Sequence, residues 1–443
     1  MKLFYIYLIN VCLYFLINNN IYAQQIQPIK IEVINTGNFH NNNGDSSKTD
    51  SLMVQILEQH PHYFDSVLKY RKQWNVQFIY TQIDWGANAI PALKNFYFNV
   101  DSQKYFYPAS TIKLPICLLA LQKLNELKAT GITANTTMIT EPASVNLTPA
   151  YNDPTTPDGK PTIANYIKKI LMVSDNDAYN RLYEFLGRKY INEQLHIKGY
   201  DEVQILHRLD VALSGNENRT TNPVNFYDNH NKLIYSQPIQ YDSSIYKERN
   251  DFTGKGYLSN NQIIDSPMNF STKNKMSLEN LHNILLSIVL PQKVTSSQRF
   301  NITENDRNFI LKYMSKLPTE SKWPPYAADT ASYWPAYGKF LLYGAQKNAL
   351  PKNIRIFSKE GDAYGQLTDI AYVVDFDKKI EFFLSATIYC NDDGILNDDH
   401  YDYDTIGLPF MKNLGEVIYE YETKRIKKVL PDLTPFKFNY DAE

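Results

Sequence analysis

Strand-like runs stand near both ends of this chain and helix-like runs fill its middle. That order limits the fold more than any other feature. "VQFIYTQIDW" (76–85) and "KNFYFNVD" (94–101) are rich in β-branched and aromatic residues and are set between turn residues, as strands are. Three further runs of this kind, "NIRIFSKEG", "TDIAYVVDF" and "KIEFFLSATIY", come only near the C-terminus. Between the two groups the chain is mostly helical, from Ser110 to about Gly187, with a loop around "TPAYNDPTTPDGKPT". "SLMVQILEQHPHYFDSVLKYRKQ", "SLENLHNILLSIVL", "ENDRNFILKYMSKL" and the run around "FMKNLGEVIYEYETKRIKKVL" also have helical spacing. The expected class is α+β. An antiparallel sheet from both chain ends would form an α/β sandwich lobe (49–107 and 276–443), with an all-helical lobe (108–225) inserted. Residues 226–275, rich in Tyr and Asn, read as a further insertion. A cleft between the lobes is the natural place for a site.

The first residues, "MKLFYIYLINVCLYFLINNNIYAQQ", carry one Lys, an apolar run and a short polar segment ending in Tyr22-Ala23. This pattern predicts a signal peptide (1–23) rather than an anchor, because the run is short for a bilayer. Residues 24–48 are an Asn-rich polar linker. The expectation is an exported monomer with no membrane span once the signal is removed. A net charge of −2 gives no reason to expect nucleic acid as a partner. Cys117 and Cys390 remain after the signal and allow one disulfide, but Cys117, in an apolar helix, reads rather as a buried free thiol.

Three short stretches carry chemistry. In "YPASTIKLP", Ser110 and Lys113 are three apart, so one helical turn brings the amine toward the hydroxyl. A serine is a poor nucleophile until a base takes its proton, and a buried lysine beside other cations can be that base. In "MVSDNDAYNRLYEFLG", Ser174-Asp175-Asn176 opens a helix that Gly187 ends. In "FSKEGDAYGQLTDIAYVVDF", Lys359-Glu360-Gly361 lies on a predicted strand. Each is common alone. In this order, each on the expected element, they are not.

Together the three resemble the S-x-x-K, S-D-N and K-T-G elements of the class A β-lactamase branch of the penicillin-recognising serine enzymes. "HRLDVALSGNENRTTNP" is similar to the segment bracketing that family's omega loop. The resemblance spans roughly residues 50–425 and implies no cofactor. By it, Ser110 is the acylated nucleophile and Lys113 its base or relay. Ser174 passes a proton to the leaving group, helped by Lys359. Asn176 holds the substrate amide and Lys113. The backbone N–H groups of Ser110 and of a residue near Asp362 form the oxyanion hole, with Gly361 beside them. The implied substrate is a small-molecule or peptide-like amide or ester, β-lactams first.

Two departures stand out. The family's omega-loop Glu, which activates the deacylating water, is replaced by Ala212 or Leu213; Asn216 keeps an Asn role, and Glu217 is a distant substitute. Slow deacylation follows, as in a D-Ala-D-Ala carboxypeptidase or penicillin-binding-type enzyme, unless Lys113 serves both steps. Second, Glu360 stands where the family has a hydroxyl that receives the substrate carboxylate. A Glu there repels it, so either Glu360 is turned away, or it is paired with a Lys or Arg, or the natural substrate lacks that carboxylate, as a cationic or neutral acyl substrate would. The rival of another class is a non-catalytic binding module on the same fold. Zinc is a poor fit, because the spacing in "HPHYFD" is wrong for a ligand set, and no G-x-S-x-G occurs.

Overall fold

The computed structural model describes residues 47–88 and 90–441. The expected signal peptide, and all of the expected linker but its last two residues, lie outside the described residues.

The first helical run divides into α1 (Ser51–Glu58) and α2 (Pro61–Tyr70). Pro61 is the cause, since it cannot continue a helix but suits the first position of a new one. Next come β1 (Gln77–Trp85), β2 (Pro91–Phe98), α3 (Lys113–Glu126), β3 (Thr137–Thr140), α4 (Ile163–Val173) and α5 (Asn176–Leu186). These lead to α6 (Arg188–Ile197), the short α7 (Gly215–Arg219), β4 (Val224–Tyr227) and β5 (Leu233–Gln237). Residues 252–269 hold four short strands, β6 (Phe252–Thr253), β7 (Gly256–Ser259), β8 (Gln262–Ile264) and β9 (Met268–Asn269). The chain closes with α8 (Leu278–Val289), α9 (Glu304–Ser315), β10 (Ile354–Ala363), β11 (Gln366–Asp375), β12 (Ile380–Tyr389), β13 (Ile395–Leu396) and α10 (Leu408–Lys424).

The main sheet runs β10–β11–β12–β1–β2. β12 from the end of the chain pairs antiparallel with β1 from its beginning, with Ile79 opposite Ser385. This is the expected α+β architecture with a sheet made by both chain ends. Alternation along the strands separates two cores. Phe78, Tyr80, Phe382 and Leu384 face α1, α2 and α10, meeting Met53, Phe64, Met411 and Leu414. Ile79, Tyr372 and Phe383 face α8, and this second core continues into the helical lobe.

The axis of that lobe is α3. Leu114 and every side chain from Ile116 to Leu121 are at most 2% exposed, Cys117 among them as a free buried thiol. A helix apolar on every side belongs inside a core. Each buried Leu or Ile contributes roughly 1.5–3 kcal/mol of transfer energy, which fixes the start of α3 firmly. The expected boundary at 226 falls inside β4, which pairs with β3 (Met138 opposite Phe226) in a small sheet of the helical lobe. Composition marks a change near 226, but the ladder partner lies far back in the chain. No helix among the described residues is long and apolar enough to cross a membrane.

Candidate active site

Ser110 lies not at the start of α3 but in the 3-10 turn Ala109–Ile112 that feeds it, with Thr111 N–H bonded to Pro108 O at 3.1 Å. Ala109 has φ +46°, a left-handed conformation rare for a residue with a side chain. The turn leaves the Ser110 side chain partly exposed. Lys113, the first residue of α3, is fully buried. Pro115 is accommodated in the first turn of the helix.

Among the described residues, the Lys113 ammonium has no carboxylate in hydrogen-bond contact. Its Nζ reaches Asn176 Oδ1 at 2.7 Å, Ser174 Oγ at 3.2 Å and the Ser174 carbonyl. Burial, and then the charge of Lys359, push its pKa down from 10.5 to about 7, against the pull of Glu360, Asp175 and Asp362. A neutral amine has only two N–H groups, so losing a proton releases one of the three acceptors, and the longest contact is the one to Ser174 Oγ. Lys113 is thus a buried amine that is ready to take a proton near neutral pH.

Ser174 ends α4 with φ +60°, and Asp175 caps α5 by accepting from Ala178 N–H at 2.7 Å. The strained link between two helices aims the Ser174 hydroxyl across the cleft, where Lys359 Nζ donates to Oγ at 2.9 Å. With both lone pairs engaged by lysines, the O–H of Ser174 is free to donate.

The other wall is β10, the edge strand of the sheet. Gly361 explains how closely it approaches: a Cβ there would lie 2.6 Å from Ser110 N and 2.8 Å from Thr111 N. Tyr364 (φ +54°) and Gly365 (φ +74°) form a two-residue turn between β10 and β11. Ladder bonding starts at Ala363–Gln366 and alternates, so Glu360 and Asp362 turn their N–H groups to the free edge, toward Ser110. The ladder register and the Gly361 contact thus leave Asp362 N–H and Ser110 N–H on facing walls of the cleft.

Glu360 is ion-paired. Its Oε1 meets Lys359 Nζ at 2.9 Å, and both side chains are buried. The Glu360 carboxyl also packs on Gly338, where a Cβ would lie 3.0 Å away. Asp362 is exposed to solvent, although protein encloses it on the other sides. That enclosure and the neighbouring Glu360 raise its pKa, opposed by Lys359 and Lys113. Beneath, fully buried Asp369 accepts from the N–H groups of Phe340 (3.2 Å) and Leu341 (3.0 Å), and burial raises its pKa to about 7.

The loop after α6 brings in a residue that sequence reasoning missed. Asp210 has φ +55° and accepts from Asn176 Nδ2 at 3.4 Å, which links it through Asn176 to Lys113. Arg208 anchors this loop by a buried pair with Glu184 at 2.7 Å and by bonds to the carbonyls of Glu217 and Thr220. Asn180 clamps Leu209 through both its N–H and its carbonyl, each at 2.9 Å. The signal in the sequence was Asp210 itself, two residues after Arg208. Glu217, by contrast, is occupied in the capping box of α7, bonded to the N-cap Ser214 and to Asn146 (2.6 Å), which hold its pKa near 2. Asn216 is exposed on α7, and no side-chain contact ties it to Lys113 or Ser174. The buried asparagine of the loop is Asn218, which accepts from Arg208 N–H at 2.9 Å. The structure therefore brings Ser110, Lys113, Ser174, Asn176, Lys359, Glu360, Gly361 and Asp362 together, leaves Asn216 outside, and adds Asp210.

Residues 63–244 match the model of the beta-lactamase enzyme family. The match covers the segment that carries Ser110, Lys113, Ser174 and Asn176, in keeping with the resemblance read from the sequence. No curated protein matches. Solved structures align over most of their length. A beta-lactamase from Desulfarculus baarsii has 12% identity and a TM-score of 0.46, over 83% of this chain and 97% of its own. A class A beta-lactamase from Clostridium kluyveri has 14% identity and a TM-score of 0.45, over 81% and 98%. A point mutant of PBP-A, in an acyl-enzyme complex with penicillin G, has 15% identity and a TM-score of 0.43, over 83% and 96%.

Proposed function

We propose that this protein is an exported serine hydrolase that cleaves an amide or ester through an acyl-Ser110 intermediate. The observation that carries the reading is Lys113: a buried amine with a pKa near 7, one turn from Ser110 and bonded to Ser174 and Asn176. Neutral Lys113 takes the Ser110 proton as Oγ attacks the carbonyl carbon. The oxyanion gathers charge between Ser110 N–H and Asp362 N–H, donors fixed in advance by the Gly361 contact. The bond to the leaving group breaks as the Ser174 hydroxyl protonates it, and Ser174 is resupplied from Lys113 through their contact. Lys359 stabilises the serine oxygen during the transfer.

The acyl ester must then meet water. Leu213 and Ala212 cannot take a proton, but Asp210 is an exposed carboxylate linked through Asn176 to Lys113. We assign it the role of deacylation base, which replaces the expectation of slow release. Export rests on the N-terminal pattern alone.

The test is intact-protein mass spectrometry over time with a penicillin and with a neutral thioester. An adduct that forms in the wild type and is absent in Ser110→Ala supports the reading. Asp210→Asn is expected to prolong the adduct by ~10²–10⁴-fold, the usual worth of a general base. No adduct with any acyl donor would favour the binding-module reading, and an adduct lifetime unchanged in Asp210→Asn would remove that residue from the mechanism.

A further inference from the structure

The charges around Ser174 do not suit an anionic leaving group. Lys359, the lysine closer to Ser174 Oγ, is already paired with Glu360 at 2.9 Å. Lys113 is bonded only to neutral oxygens. The next side chain along the same strand edge, Asp362, is a carboxylate open to solvent. A substrate carboxylate arriving here would meet one lysine already ion-paired, a second that burial drives toward neutrality, and one carboxylate.

An aromatic wall stands opposite. The chain at Gly338 packs on the Glu360 carboxyl, and Gly338 has φ +71°, a turn that a side chain would resist twice over. The preceding residue, Tyr337, is partly exposed and lies within the fields of Glu360, Asp362 and Asp175. Its ring is held edge-on by Trp334 at 5.0 Å and by Tyr333 at 5.7 Å. Tyr326 packs on Tyr333 at 4.6 Å, and its hydroxyl is buried with no hydrogen-bond partner among the described residues, in a residue only 6% exposed. A π-face backed by carboxylates is a receptor for a cation. On the hairpin side, Lys273 lies over the ring of Tyr364, at the turn that ends β10, with its Nζ 5.8 Å from the ring centroid.

We propose that the leaving-group half of the natural substrate carries a positive charge, an ammonium received between Asp362 and the ring of Tyr337. This rests on the acyl-Ser110 reading and adds the substrate class to it. The chemistry is unaltered: the Ser110 Oγ–carbon bond forms, the carbon–leaving-group bond breaks, the Ser110 proton goes to Lys113, and Ser174 protonates the departing atom. The cation is a recognition element and stays on the leaving group.

The experiment uses three phenylacetyl thioesters that share one acyl group and differ only in the thiol: thiocholine (cationic), 2-mercaptoethanol (neutral) and thioglycolate (anionic). Thiol release gives kcat/KM for wild type, Asp362→Asn and Tyr337→Leu. Comparing the cationic-to-neutral ratio between proteins cancels differences in thiol reactivity. The wild type should favour the cationic ester, and Asp362→Asn should lower that ratio by about tenfold, a change of about 1.4 kcal/mol. Tyr337→Leu should lower it by a smaller factor in the same direction. Turnover of all three esters with a ratio that neither substitution moves would overturn the proposal and leave the hydrolase reading standing. Preference for the thioglycolate ester would overturn it as well. Release from none of the three, in a protein that also forms no Ser110 adduct, would remove the hydrolase reading and this one with it.

Discussion

Two lysines reach one hydroxyl from opposite walls of the cleft, and they differ in their company. Lys113 and Lys359 are both fully buried, and both donate to Ser174 Oγ. Lys359 has a carboxylate in contact; Lys113 has an amide oxygen, a hydroxyl and a backbone carbonyl. Burial is common to the two, so burial alone does not assign their roles. The partner does. The unpaired lysine is the one driven toward neutrality, and it stands on the element that also carries Ser110.

The largest break in this comparison is Lys113→Met, which should lower acylation of Ser110 by ~10²–10⁴-fold, read as the rate of adduct formation. The wild-type acylation rate should rise with pH through about 7, because only the neutral amine accepts the proton. Lys359→Met should move that midpoint upward. It removes the charge that lowers the Lys113 pKa and leaves Glu360, which raises it, unopposed. A midpoint that stays in place would mean the two lysines do not sense each other. The smallest effect is on stability. The Lys113 proton is lost near 7 in the folded chain and near 10.5 in the unfolded one, so the unfolded state holds more protons in that window. Stability relative to Lys113→Met should therefore rise as pH goes from 7 to 8.5, measured by denaturant midpoints. The buried thiols of Cys117 and Cys390 titrate in both proteins and cancel.

The sequence was most legible where chemistry is written in local spacing. Ser110 to Lys113 and Ser174 to Asn176 are one-turn relations, and the strand that carries Lys359 could be read from its β-branched and aromatic pattern. What was hidden depended on distant contacts or on an edge. Asp210 reaches Asn176 because Arg208 is held by Glu184 and Leu209 by Asn180, partners more than twenty positions away. Glu360 and Lys359 are neighbours on a strand, where side chains should point apart. They meet only because β10 has no strand on its outer side, which leaves room for the lysine to curl back. Asn216 was placed by counting along a loop, and α7 moved it to the surface while the buried place went to Asn218.

The missing side chain of Gly361 acts as a gauge block between the two halves of the molecule. Backbone there meets backbone, with the turn that bears Ser110 closer than any methyl group would permit. A single carbon, as in Gly361→Ala, would act as a wedge, lifting β10 from the turn and spreading the Ser110 and Asp362 donors together. Alignment of the reaction centre is therefore set by a contact that contains no reactive group. Its tolerance is less than the width of one carbon atom, so the halves must meet correctly here before any of the chemistry is possible.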